Sequence, residues 1–167
     1  KLTEAYIRTA AAAAADVGQE HALKAFYYSL AIAFDRGYLI KRYDAVAEKI
    51  RKETDLVADA SRERFVGDAT LWRRASLLQD FISAGILAQF VGSDAARDIT
   101  TLEEIKQATE PAGFSFAAIV ASRAGIRLHQ ALASREVTFS ELATTFTIER
   151  FVPSVEAMQK FWTSAEL

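Results

Sequence analysis

Two histidines, His21 and His129, are the first residues to weigh, because imidazole is the commonest metal ligand and general base. A zincin places two histidines four apart on one helix with a glutamate between them. A di-iron bundle repeats Glu-x-x-His on two helices. The positions three before these histidines are Gly18 and Ile126, so neither pattern occurs and no metal ligand or cofactor is expected. With no cysteine in the chain, thiolate nucleophiles, thiolate metal sites and disulfides are all excluded. The seven glycines stand singly, without the spacing of a dinucleotide or P-loop motif and without the Gly-x-Ser-x-Gly elbow of a serine hydrolase. Asp55 with Asp59, and Glu103 with Glu104, pair acids in polar stretches. Catalytic carboxylates need desolvation or a close like charge to shift their pKa values, so no catalytic residue is assigned.

What remains is chemistry of binding. Arg123 and Arg127 stand one helical turn apart in an apolar segment, and two guanidinium forks at that spacing can hold a carboxylate or phosphate, or pair with acids on a neighbouring helix. With His129 they form the candidate ligand-binding set. Arg73-Arg74-Ala75-Ser76 matches a basic-directed kinase consensus by letter, but two arginines at the start of an amphipathic helix read as a solvated face. Phe26, Tyr27, Tyr28, Phe34, Phe81, Phe90, Phe114 and Phe116 can line a pocket for an apolar ligand or fill a core, and spacing alone does not separate the two.

Composition narrows the partners. The 20 basic residues are matched by 22 acidic ones, for a net charge of −2. Nucleic-acid binding needs a concentrated basic surface, so no nucleic-acid partner is expected; the partner is an unidentified protein or a small apolar or anionic ligand. The longest apolar run, residues 25–34, is half the length of a bilayer span. The chain is expected to be soluble, cytoplasmic or exported, with any targeting segment absent from it.

The elements that must position these residues are helical. Only Pro111 and Pro153 interrupt 167 residues, and nearly every long stretch has a helical period. A first helix runs from about Thr3 to Asp16, its second half the six alanines 10–15, and stops at Gly18. Residues 19–36 are apolar nearly all round, as befits a helix surrounded by others, with Gly37 as its cap. Residues 38–54 read as a solvated amphipathic helix and 55–68 as a polar connector. Leu71 to Val91 forms a second buried helix ending at Gly92; Gly85 inside it costs about 1 kcal/mol of helix propensity and marks a point where backbones approach. Thr101 and Glu104 have capping-box spacing, which predicts a short helix over residues 102–108 ended by Pro111 and Gly113. Residues 116–133 form an amphipathic helix. Thr138 and Glu141 repeat the capping box before a helix to about Phe146, residues 145–152 suggest an extended piece, and Pro153 opens a terminal helix.

The run from Gly113 to Ile126, Gly-Phe-Ser-Phe-Ala-Ala-Ile-Val-Ala-Ser-Arg-Ala-Gly-Ile, resembles a segment of an uncharacterised bacterial helical protein family, typically Gly-Phe-Ser-Phe-Ala-Asp-Leu-Ala-Ala-Asp-Arg-Ala-Gly. Ala118 and Ser122 stand where that pattern has aspartates. The resemblance implies a bacterial origin and a helical fold, and no activity.

The sequence therefore predicts an all-α protein: one domain over residues 1–167, a compact bundle of six to eight helices crossing at varied angles, with residues 20–36, 71–91 and 116–133 at its core. The expected function is a non-catalytic binding or protein-interaction module. The alternatives are a carrier of an apolar ligand in the bundle core, and an enzyme whose histidine, carboxylate and tyrosine come from distant positions.

Overall fold

Small and bulky side chains alternate between elements, and that alternation sets the packing. The computed structural model describes residues 2–34, 48, 69–110 and 113–154. Helix α1 (Leu2–Ala15) is followed after a tight turn by α2 (Gln19–Phe34), with the Gly18 carbonyl accepting from the amides of His21 and Ala22 to start the second helix. The chain re-enters at Ala69 and continues through α3 (Ala75–Val91), α4 (Ser93–Gln107), α5 (Phe116–Ala133), α6 (Phe139–Thr145) and a single 3-10 turn at Ile148–Arg150. The described residues thus form a compact, all-helical bundle without strands. The helix expected over 38–54, the connector over 55–68, Gly37, Pro111 and the terminal helix after Pro153 lie outside the described residues.

Three expectations are corrected. The residues before Ala75 do not belong to α3: Leu71 to Arg74 form a tight turn closed by two backbone hydrogen bonds, with Trp72 and Arg73 both at positive φ. The helix expected over 102–108 begins instead at Ser93. Gly92, at φ 86, donates its amide to Ala88 and accepts from Ala96, so one residue ends α3 and starts α4. Thr101 consequently lies mid-helix, its hydroxyl donating to the Arg97 carbonyl rather than capping a start. The extended piece expected over 145–152 contains the 3-10 turn. By contrast, Ser115 and Thr138 do cap α5 and α6, each accepting from the amide three residues on, the bond that satisfies a free N–H at a helix start.

Helices α3 and α5 form the most extensive pairing among the described elements, and glycine makes it possible. A Cβ on Gly125 would lie 1.8 Å from the Phe81 carbonyl oxygen, and one on Gly85 would lie 3.2 Å from the Gly125 oxygen and 2.7 Å from the Tyr27 ring. The two backbones touch. Around this crossing Phe26, Tyr27, Leu30, Leu77, Phe81 and Ile86 are at most 2% exposed, and each such side chain contributes on the order of 1.5–3 kcal/mol.

Helix α1 binds the chain's later residues. Its buried face, Ile7, Ala10, Ala11 and Ala14, is part of one apolar cluster with Phe146 and Val152. Arg8 donates twice to the Phe146 carbonyl, at 2.9 and 2.6 Å, and the Ile148 amide donates to Glu4. These bonds satisfy backbone groups at the end of α6 that the helix itself leaves open.

Candidate functional site

One void lies where four helices end. It is a cleft of about 440 Å³, within the range of small-molecule sites. The end of α1 contributes Ala14 and Ala15, the start of α2 Ala22 and Leu23, and the end of α5 Leu132 and Ala133. The start of α6 supplies Thr138, Phe139 and Ser140, and the loop between α5 and α6 supplies Arg135 and Val137. The alanines explain the space: where α1 closes against α2 and α6, its side chains are too short to fill the corner. Ala14, Ala22, Leu132 and Val137 are buried in the walls, whereas Ala15, Ala133, Arg135 and Ser140 are exposed at the mouth.

The polar side chains of this cleft come from one stretch of chain, residues 135–140. Thr138 and Ser140 bring hydroxyls, and Arg135 is the one charged residue among the described residues that line it. Arg135 has φ 63, a left-handed conformation that side chains other than those of glycine and asparagine adopt at a cost of about 1 kcal/mol or more. The adjacent Glu136 directs both carboxylate oxygens at Arg127, at 2.6 and 2.8 Å. The Arg127 hydrogen bond holds the Glu136 pKa below its ordinary value.

Arg123, Arg127 and His129 face three different neighbours. Arg127 is engaged by Glu136 at the surface. Arg123 turns to α4, donating from Nη2 to the Thr101 hydroxyl at 2.8 Å, while its Nη1 is buried with no hydrogen-bond partner among the described residues. Burial lowers the Arg123 pKa; Arg97 lowers it further and Asp98 opposes the shift. His129 points into the bundle. Its Nδ1 lies 3.4 Å from the Ser93 hydroxyl and its Nε2 3.3 Å from the Gln89 carbonyl oxygen. The ring is tilted against Tyr27 with centroids 5.6 Å apart.

With Gln89 accepting, Nε2 carries the proton and Nδ1 accepts from Ser93. Burial lowers the His129 pKa, since desolvation disfavours the charged ring. Tyr27 is fully buried, its hydroxyl lacks a partner among the described residues, and burial pushes its pKa well up. The arrangement has the histidine and tyrosine of an acid-base site, but among the described residues the hydrogen bonds of His129 go to an amide and a hydroxyl, not to a carboxylate. His21 contacts Glu20 at 3.1 Å in the open, both side chains well exposed.

A second void holds about 10 Å³, room for roughly one water, and is lined by Asp80, Ser83, Thr100, Glu103, Glu104 and Ser122 among others. Glu104 is buried and accepts from the Ser115 amide at 3.1 Å, which ties α4 to the start of α5. Among the described residues no three His, Asp or Glu side chains are gathered so as to hold a metal ion, and no helix is long and apolar enough to cross a membrane.

Of the aromatics, Phe26, Tyr27 and Phe81 fill the core, Phe114 and Phe116 are exposed, and none of the eight candidates lines the cleft. The cleft residues carry no motif. The signals in the sequence were indirect: six consecutive alanines at the end of a helix, and the Thr138 cap that fixes where α6 begins.

Searches against protein-family models, curated proteins and solved structures find no match to this chain. The resemblance of residues 113–126 accordingly stands on those residues alone.

Proposed function

We propose that the protein is a non-catalytic binding module that takes an apolar ligand in the cleft between the ends of α1 and α5 and the starts of α2 and α6. The observation that carries this reading is the volume of about 440 Å³ walled by alanine, valine, leucine and phenylalanine side chains. Such a concavity removes apolar ligand surface from water at about 25 cal/mol per Å², and a few polar groups in its lining fix orientation. The reading moves the ligand from the bundle centre to its end, because the side chains around the α3–α5 crossing leave the centre filled.

The test is a neutral solvatochromic dye, Nile red, titrated into the full chain and into Ala133→Trp. Ala133 lines the mouth and is exposed, so an indole there blocks the cleft without entering the core. Saturable blue-shifted fluorescence with the unsubstituted protein, lost in a variant that melts at the same temperature, supports the reading. Equal fluorescence from both proteins, or none from either, refutes it.

A further inference from the structure

We infer that the outer face of α4 is a docking surface for a second copy of this chain, the two helices running antiparallel about a two-fold axis that passes between Leu102 and Ile105. The surface is separate from the cleft, to which α4 contributes no residue.

The distribution of apolar side chains on α4 is the first observation. The helix buries Ala96 and Glu104, with Ile99 partly buried in the cluster that holds Ala96, while Leu102 and Ile105 are 64% and 54% exposed. These two stand three residues apart, on one face and within reach of each other. A single exposed leucine is ordinary, but exposed apolar side chains continue past both ends of the helix, to Val91 before it and Phe114 after it. An apolar surface of this kind, left open to solvent, marks an interaction site.

Charge selects the occupant and its direction. Asp98 and Lys106 lie four residues to either side of Leu102, and both are exposed. Arg97 pairs with Asp94 and Arg123 donates to Thr101, so both arginines are engaged elsewhere. With an acid toward one end and a base toward the other, the face is complementary to its own reversed copy. Leu102 then meets the partner's Ile105, and Asp98 comes within a turn of the partner's Lys106. A parallel pair would instead set Asp98 against the partner's Asp98. The antiparallel contact uses the same surface on both copies and closes as a dimer. Helix α4 has 15 residues, about 22 Å of helix, which by itself covers less than the roughly 800 Å² per partner of an ordinary interface. The dimer is therefore a weak one that dissociates on dilution.

The experiment is sedimentation velocity of the full chain over a concentration series, repeated with Leu102→Glu, with Lys106→Glu and with Lys106→Glu combined with Asp98→Lys. The unsubstituted chain is expected to show a reversible monomer–dimer equilibrium and Leu102→Glu to stay monomeric. Lys106→Glu is expected to weaken dimerisation about fivefold, the scale of exposed ion pairs, and the double variant to restore it. Positions 98 and 106 are about 12 Å apart along one helix, too far to pair within a chain, so the restoration reads the contact between copies. All three positions are exposed, and thermal melts check that the variants fold. A monomer at every concentration overturns the inference and leaves the face to a partner other than this chain. Dimerisation unaffected by Leu102→Glu, or a double variant as weak as Lys106→Glu alone, also overturns it.

Discussion

Replacing Gly125 by alanine sets two physical effects of opposite sign against each other. Helix propensity favours the change by about 1 kcal/mol, since Gly125 lies inside α5. Packing opposes it. The new methyl would sit 1.8 Å from the Phe81 oxygen and 2.8 Å from its carbonyl carbon. Both are backbone atoms of α3, so no rotamer change relieves the contact, and the two helices must separate by more than about 1 Å. That movement loosens Leu78, Phe81 and Ile82 in the main cluster and Ala84, Leu87 and Ile126 in the smaller one beside α4. Overpacking that forces backbone shifts costs typically about 1–3 kcal/mol; taking the upper end against the propensity gain of about 1 kcal/mol leaves a net loss of about 2 kcal/mol. For a domain of this size that lowers Tm by roughly 4–8 °C, out of a total stability of about 5–15 kcal/mol. The assay is thermal and urea unfolding followed by circular dichroism at 222 nm. Gly85→Ala, whose closest contact is the Tyr27 ring, should lose less, because a ring can tilt. An unchanged or raised Tm for Gly125→Ala would mean that propensity decides and the backbones are not in contact.

Two further outcomes follow from the buried polar groups. Tyr27→Phe removes a hydroxyl that is buried without a partner among the described residues and should raise stability by about 1 kcal/mol, read as a higher urea midpoint; a lower midpoint would show that the hydroxyl is satisfied in solution. Burial keeps the His129 pKa below its ordinary value, so on acidification the unfolded chain takes up a proton on this residue before the folded one does. Stability should therefore fall from about pH 7 to pH 5.5 and be level above pH 7, where the imidazole is neutral in both states. His129→Gln should flatten that slope, and urea midpoints at three pH values in this window measure it; an equal slope in the variant would assign the effect to other groups.

Legibility in the sequence tracked how local each determinant is. Helices α1, α2, α5 and α6 were readable because apolar period, caps and glycine stops lie within the element, and Gly85 announced the crossing because glycine inside a buried helix has few other uses. The start of α4 was hidden: Gly92 serves two helices at once, and the Thr101–Glu104 spacing imitates a cap while Thr101 bonds back to Arg97. The turn at residues 71–74 was absorbed into α3 because Leu71 continues its apolar pattern and positive φ at Trp72 and Arg73 leaves no trace in residue type. For the candidate residues, spacing placed Arg123 and Arg127 on one helix face but said nothing of neighbours. One meets Thr101 of α4 and the other Glu136 beyond the end of its own helix. The cleft was illegible for a similar reason, since four helix ends and a loop create it and no single stretch contains it.

The central claim is that the cleft is where a ligand sits, and the most direct measurement locates one. Amide NMR spectra of the full chain, titrated with 1-octanol, report each backbone position separately. The account predicts saturable shifts confined to the cleft, at Ala14, Ala22, Leu132, Val137 and Ser140. Shifts centred instead on Arg123 and His129, or no saturable shift at all, would contradict it.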